Sequence, residues 1–139
     1  MMTVNELSRR SDVAAHVVRY YARIGLLEPA RHPHNGYKLF SARDAERLRF
    51  IRQAQALGFT LEEIRAIFAS NQHGSSPCHD VREILRRRVE QKRNEIVDLI
   101  ALQRRMERTL ARWDAMEDQL PGDDSVCNLI ESTPSAAQA

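Results

Sequence analysis

At 139 residues, with 29% charged and only 6% aromatic side chains, the chain has room for one modest core or a small head plus a long helical arm. Five glycines and five prolines in that length favour helices over a sandwich or barrel, and no run of 18 apolar residues is present to span a membrane. The net charge of +2 is unevenly placed: residues 1–58 carry ten Lys and Arg against five Asp and Glu, a balance of +5, and residues 59–139 carry eleven against fourteen, or −3. The first half is therefore the candidate polyanion-binding end. The start from Met1 to Glu6 lacks the basic-then-apolar order of a signal peptide, so a cytoplasmic protein is expected. In that compartment Cys78 and Cys127 read as free, metal-binding or redox thiols and not as a structural disulfide.

In chain order, Thr3-Val4-Asn5-Glu6 fits a capping box, in which the Thr side chain and the Glu three residues later satisfy each other's orphan amides. Ser11-Asp12 offers a second helix start before an apolar-rich run from Val13 to Ile24, and Gly25 ends that run as a C′ glycine does. Two short helices with a tight turn between them make a helix-turn-helix. Leu26-Leu27-Glu28-Pro29 and Asn35-Gly36-Tyr37-Lys38-Leu39-Phe40 then flank a polar loop, and Asn-Gly is a turn signal because both residues tolerate positive φ. A small two-stranded wing is expected there.

Ser41 to Asp44 reopens helix, with Ala45, Leu48, Ile51 and Ala54 at helical spacing up to Gly58, and Thr60-Leu61-Glu62-Glu63 is a further capping box leading Ile64, Ile67 and Phe68. After a polar stretch from Asn71 to Ser76, Ser76-Pro77 reads as N-cap and first-turn proline. The helix that follows meets no breaker until about Glu117, a run of roughly 40 residues. Steps of four and three give Leu85, Val89, Lys92, Ile96, Leu99, Gln103, Met106, Leu110 and Trp113, and seven of these nine are apolar. Such a stripe needs a partner, and self-association through a coiled coil is the expected one. The expected fold is mostly α: a winged helix-turn-helix head over 1–70, a linker and dimerisation helix over 71–117, a loop and terminal turn over 118–131, and a disordered tail over 132–139.

In this order and spacing, Val18-Arg19-Tyr20-Tyr21, Gly25-Leu26-Leu27, Pro29, Arg31, Asn35-Gly36-Tyr37, Phe40 and Leu57-Gly58-Phe59-Thr60-Leu61-Glu62-Glu63-Ile64 resemble the MerR family of transcription regulators. The residues themselves suit a DNA surface, since Arg pairs bidentately with phosphate or guanine and Tyr hydroxyls bond phosphates. Arg19 and Tyr20 are the expected contacts of the recognition helix, with His16 and Val17 near its start; Tyr21, about 100° further round, is either core or a contact. The resemblance implies that the wing also grips the backbone, through Arg31, Tyr37 and Lys38. Lys38 stands where the family usually has Arg, which keeps the charge and loses the fork. The resemblance further implies a homodimer on promoter DNA, antiparallel through its long helices, that bends and untwists the duplex when an effector binds and so realigns the promoter for RNA polymerase.

The effector reading rests on the thiols. Cys78 lies at the start of the long helix, where the helix terminus favours a thiolate, and Cys127 lies beyond that helix's end. The resemblance to the heavy-metal branch places Cys78 of one chain against Cys127 of its partner, and a cysteine at the helix start resembles the sensors of divalent ions. Those sensors usually carry another loop cysteine, where this chain has Glu117-Asp118. Two thiolates with a carboxylate or imidazole suit zinc, or cobalt or cadmium, with Asp118 the first candidate for the further ligand, His79 the second, and Asp123 and Asp124 behind them. Thiol oxidation or another small effector is the alternative. His32, His34 and His73 are read as solvated or DNA-facing. No nucleophile-elbow, phosphate-loop, dinucleotide or His-Glu-x-x-His pattern is present, so no enzyme is expected.

Overall fold

A computed structural model describes residues 1–135; the last four residues of the expected tail lie outside the described residues. The elements are α1 (Val4–Ser11), α2 (Ala15–Arg23), β1 (Ala30–Arg31), β2 (Lys38–Leu39), α3 (Ala42–Ala56), α4 (Leu61–Gln72), α5 (Cys78–Asp114) and α6 (Asn128–Glu131). The chain is mostly helical and divides into two compact units, Met1–Arg88 and a second running from Val89.

Local signals account for most helix ends of the first unit. Thr3 accepts the Glu6 amide, and Ser41 and Thr60 close reciprocal capping boxes with Asp44 and Glu63. Gly25 and Gly58 follow the C-caps of α2 and α3 at φ +84° and +90°, conformations that a Cβ disfavours. One helix start departs from the sequence reading. Asp12 does not cap α2; it adopts φ +54° as the left-handed C-cap of α1, and α2 begins at Ala15 with no side-chain cap. The turn is held instead by the Ser8 hydroxyl, which donates to the Val13 carbonyl at 2.5 Å.

The wing is shorter than its apolar runs suggested. Only Ala30 and Arg31 pair with Leu39 and Lys38, antiparallel, while Leu26 and Leu27 are buried in the core and not in a strand. That core gathers Leu7, Val18, Tyr21, Leu26, Leu27, Phe40, Leu48, Ile51, Phe59, Ile64 and Ile67 from α1 to α4 and the wing, and Val81, Ile84 and Leu85 of α5 pack on it. Burying side chains of this size contributes roughly 1.5–3 kcal/mol each relative to exposure. Asp44 is the one buried charge among the described residues; its carboxylate accepts the Glu28 amide at 2.9 Å and the Ser41 amide at 3.0 Å. It thereby ties the chain leading into the wing to the start of α3.

In the second unit α5 carries no buried residue. Its i,i+3 pairs Arg93–Glu90 and Lys92–Glu95 are exposed, and the helix ends at Asp114, three residues before the expected end. Trp113 is half-buried beside Ile130, Thr133 and Pro134, with its Nε1 buried and unpartnered among the described residues. Ser132 and Thr133 both donate to the Leu129 carbonyl, at 2.7 and 3.2 Å.

Candidate nucleic-acid interface and thiol site

Helix α2 buries Val18 and Tyr21, three residues apart, and this turns Arg19, Tyr20 and Arg23 outward. Tyr20 is 41% exposed and Tyr21 only 6%, and the Tyr21 hydroxyl donates to Gln55 Oε1 at 3.2 Å. Of the two readings open for Tyr21, the fold selects core. His16 is exposed, whereas Val17 is half-buried and packs against the core.

The wing approaches the same face of the head. Met2 and Phe40 exchange both backbone hydrogen bonds, at 2.7 and 2.6 Å, which sets the N-terminus of α1 beside the wing. Asn35 accepts the Tyr37 amide at 3.0 Å, Gly36 turns at φ +71°, and Tyr37 projects with 68% of its surface exposed. A groove of about 720 Å³ results, lined by Thr3, Val4 and Asn5 of α1, Arg19 and Arg23 of α2, and Arg31, Gly36, Tyr37 and Lys38 of the wing. Four cations and no carboxylate line it, and none of the four has a carboxylate within 4.0 Å among the described residues. Arg31 and Lys38 are direct partners across the strand pair. Like charges so placed are unfavourable alone and suit a polyanion.

Sequence reasoning missed Arg23. Its guanidinium lies over the Tyr20 ring, 5.3 Å from the centroid, and it shares the groove with Arg19 four residues earlier. The i,i+4 spacing of the two arginines on a helix whose other face is apolar was the available signal.

The thiols lie in different units. Cys78 is exposed at the first residue of α5, its amide donating to Ser76 Oγ at 3.4 Å, and His79 beside it is exposed. Cys127 is half-buried as the N-cap of α6, and its amide donates to Glu131 Oε1 at 2.9 Å. Asn128 Nδ2 donates to the Glu117 carbonyl at 3.3 Å, anchoring this loop to the segment after α5; Asp118 is exposed. Thiolate, imidazole and carboxylate donors are those zinc-like ions take. Among the described residues of a single chain, no three such side chains gather. The donor types fit such an ion.

The sequence matches the family profile "MerR HTH family regulatory protein" over residues 2–71 and the profile "MerR, DNA binding" over residues 45–113. It is 32% identical over 131 residues to heavy metal-dependent transcription regulator 2 of Rhizobium meliloti (strain 1021), covering 94% of this chain and 84% of that one. It is 35% identical over 106 residues to the HTH-type transcriptional regulator HmrR of Rhizobium leguminosarum bv. viciae, covering 76% and 81%. The crystal structure of the transcription regulator PbrR691 from Ralstonia metallidurans CH34 in complex with lead(II) superposes with a TM-score of 0.75 at 28% identity, over 95% of this chain and 98% of that one.

Proposed function

The chain belongs to the MerR family of HTH regulatory proteins, a family of DNA-binding transcriptional regulators and not of enzymes, and we propose that it is a metal-responsive activator that binds promoter DNA as a homodimer. The observation that carries the DNA reading is the carboxylate-free groove in which Arg19, Arg23, Arg31 and Lys38 surround the exposed Tyr37. Arg31, Lys38 and Tyr37 take phosphates, which position the head, while Arg19, Tyr20 and the exposed His16 face the duplex from the recognition helix. A regulator acting on promoter DNA with RNA polymerase works in the cytoplasm, which is the localisation we propose.

The unpartnered stripe of α5, with Ile96 56% and Leu99 67% exposed, supports self-association as an antiparallel coiled coil. In that pairing Cys78 of one protomer meets Cys127 of the partner subunit, with Asp118 or His79 completing the set. Zinc is the favoured ion, with cobalt or cadmium accommodated by the same donors. The heavy metal in the name of the Rhizobium meliloti relative and the lead(II) of the Ralstonia structure support a metal effector. A bound divalent ion would supply a cross-link between two deprotonated thiols. The chain's own part is to hold those thiols at a helix start and a short loop, and to convert the cross-link into bending and untwisting of the duplex, a deformation costing about 1–6 kcal/mol.

The test is zinc retention by purified protein after gel filtration, with Cys78→Ser and Cys127→Ser as controls. Retention by wild type and loss in both variants is expected. If both serine variants retain zinc, the thiol site is wrong; if wild type retains none of zinc, cobalt, cadmium and lead, the metal reading fails and an oxidation-sensing or small-effector regulator takes its place. On the DNA side, Arg19→Ala is expected to weaken binding to a selected operator duplex about 5- to 150-fold, and unchanged affinity at physiological salt rejects the recognition-helix assignment.

A further inference from the structure

Within the first unit, Cys78, Val81, Leu85 and Arg88 recur at steps of three, four and three, which puts them on one stripe of α5. The apolar members pack on the head's core. Arg88, the last residue of the unit, does something different. Its stem crosses the turn from α3 to α4: a Cβ on Gly58 would lie 3.7 Å from Arg88 Cγ. Its Nη2 donates to both Glu63 oxygens at 2.6 Å, and the two side chains are about three-quarters buried. Glu63 Oε1 also accepts the Thr60 amide at 2.8 Å, so one carboxylate is shared between the N-terminus of α4 and the third turn of α5.

From this junction two routes lead to the recognition helix. Gln55, on the last turn of α3 before Gly58, accepts the Tyr21 hydroxyl. Arg65, two residues beyond Glu63, donates to the Ile24 carbonyl at the C-cap of α2. Neither Arg88 nor Glu63 lines the cationic groove. The apolar contacts of Val81 and Leu85 are non-directional, whereas the contact of Arg88 Nη2 with both Glu63 oxygens is a charge-assisted hydrogen bond with a defined geometry. A helix shift of about 1–2 Å, the size seen in switching transitions, would change the geometry of this pair more than that of the apolar contacts.

We propose that Arg88 is a positioning residue which couples the Cys78 end of α5 to the recognition helix, acting through Glu63 and the α3–α4 turn. The coupling rests on the metal-responsive reading for its trigger but not for its existence in the head.

Two measurements on the full chain test it, with Arg88→Ala, Glu63→Gln and Arg88→Lys. Gln at position 63 keeps the acceptor for the Thr60 amide and loses the charge, which separates capping from coupling. First, amide exchange without metal: Arg88→Ala and Glu63→Gln are expected to raise exchange at Ile24, Leu26 and Leu27 about fivefold more than at Leu7. A uniform rise that includes Leu7, or no rise, overturns the proposal. Second, zinc is added to complexes with a selected duplex carrying 2-aminopurine at its centre. Arg88→Ala and Glu63→Gln are expected to bind zinc as wild type does and the duplex within about threefold, and to lose at least about four-fifths of the zinc-dependent fluorescence change, with Arg88→Lys intermediate. Full response in Arg88→Ala overturns the coupling. Absence of any zinc binding by wild type defeats the metal reading alone, and the exchange comparison then decides the coupling.

Discussion

The residues up to Arg88 and those from Val89 onward solve the burial problem in opposite ways. In the first unit eight side chains, among them Phe40, Leu48 and Ile64, are less than 2% exposed, and the starts of α1, α3 and α4 and the single buried carboxylate are satisfied within the chain. In the second, α5 has no buried residue, although Ile96, Leu99, Met106 and Leu110 follow one heptad stripe. The first unit is a domain that meets its own needs. The second leaves its apolar stripe exposed, as the proposed dimer helix would, with exposed i,i+3 ion pairs that contribute only about 0.2–0.5 kcal/mol each to the isolated helix.

Substitutions that remove the same atoms should therefore act differently in the two regions. Leu48→Ala is expected to cost the head about 2–5 kcal/mol in urea unfolding, independent of protein concentration, because its cavity lies in a close-packed core. Leu99→Ala is expected to leave that transition in place and to shift the monomer–dimer equilibrium measured by sedimentation; a concentration-independent loss as large as that of Leu48→Ala would break the contrast. On the surface of the head, Arg23→Ala should weaken duplex binding several-fold and lower the salt slope of log K by about one, while an unchanged slope removes Arg23 from the groove's function. Thr60→Ala, which deletes a cap at the α4 start, is expected to cost about 1 kcal/mol by the same urea measurement.

The smallest effect is a pH dependence. The Thr60 amide first, then the Thr60 side chain and Arg88, hold the Glu63 carboxyl below its ordinary value against the opposing effect of burial. A carboxylate lowered in the folded state adds stability that is present above its unfolded value and is lost as pH falls through the folded one. The stability advantage of wild type over Glu63→Gln should therefore be constant near neutrality and shrink as pH falls below about 5. An advantage that grows on acidification would contradict the sign.

Features written in neighbouring residues were legible without the fold. The capping residues Thr3, Ser41 and Thr60, the glycines at 25 and 58, the Asn35-Gly36 turn and the 4–3 stripe of α5 each depend on groups within a few positions of one another. Their order was enough to reveal a winged helix-turn-helix head and a long helix awaiting a partner. Tertiary packing decided the rest. It chose Tyr21 for the core and Tyr20 for the surface, drew Leu26 and Leu27 out of the wing, and let α2 begin uncapped at Ala15. It also brought Arg23 of α2 and Lys38 of β2 to one groove, and set Arg88 on Glu63, 25 residues away. No local signal encodes such pairs, because their energy exists only once distant segments share a core and lose their water.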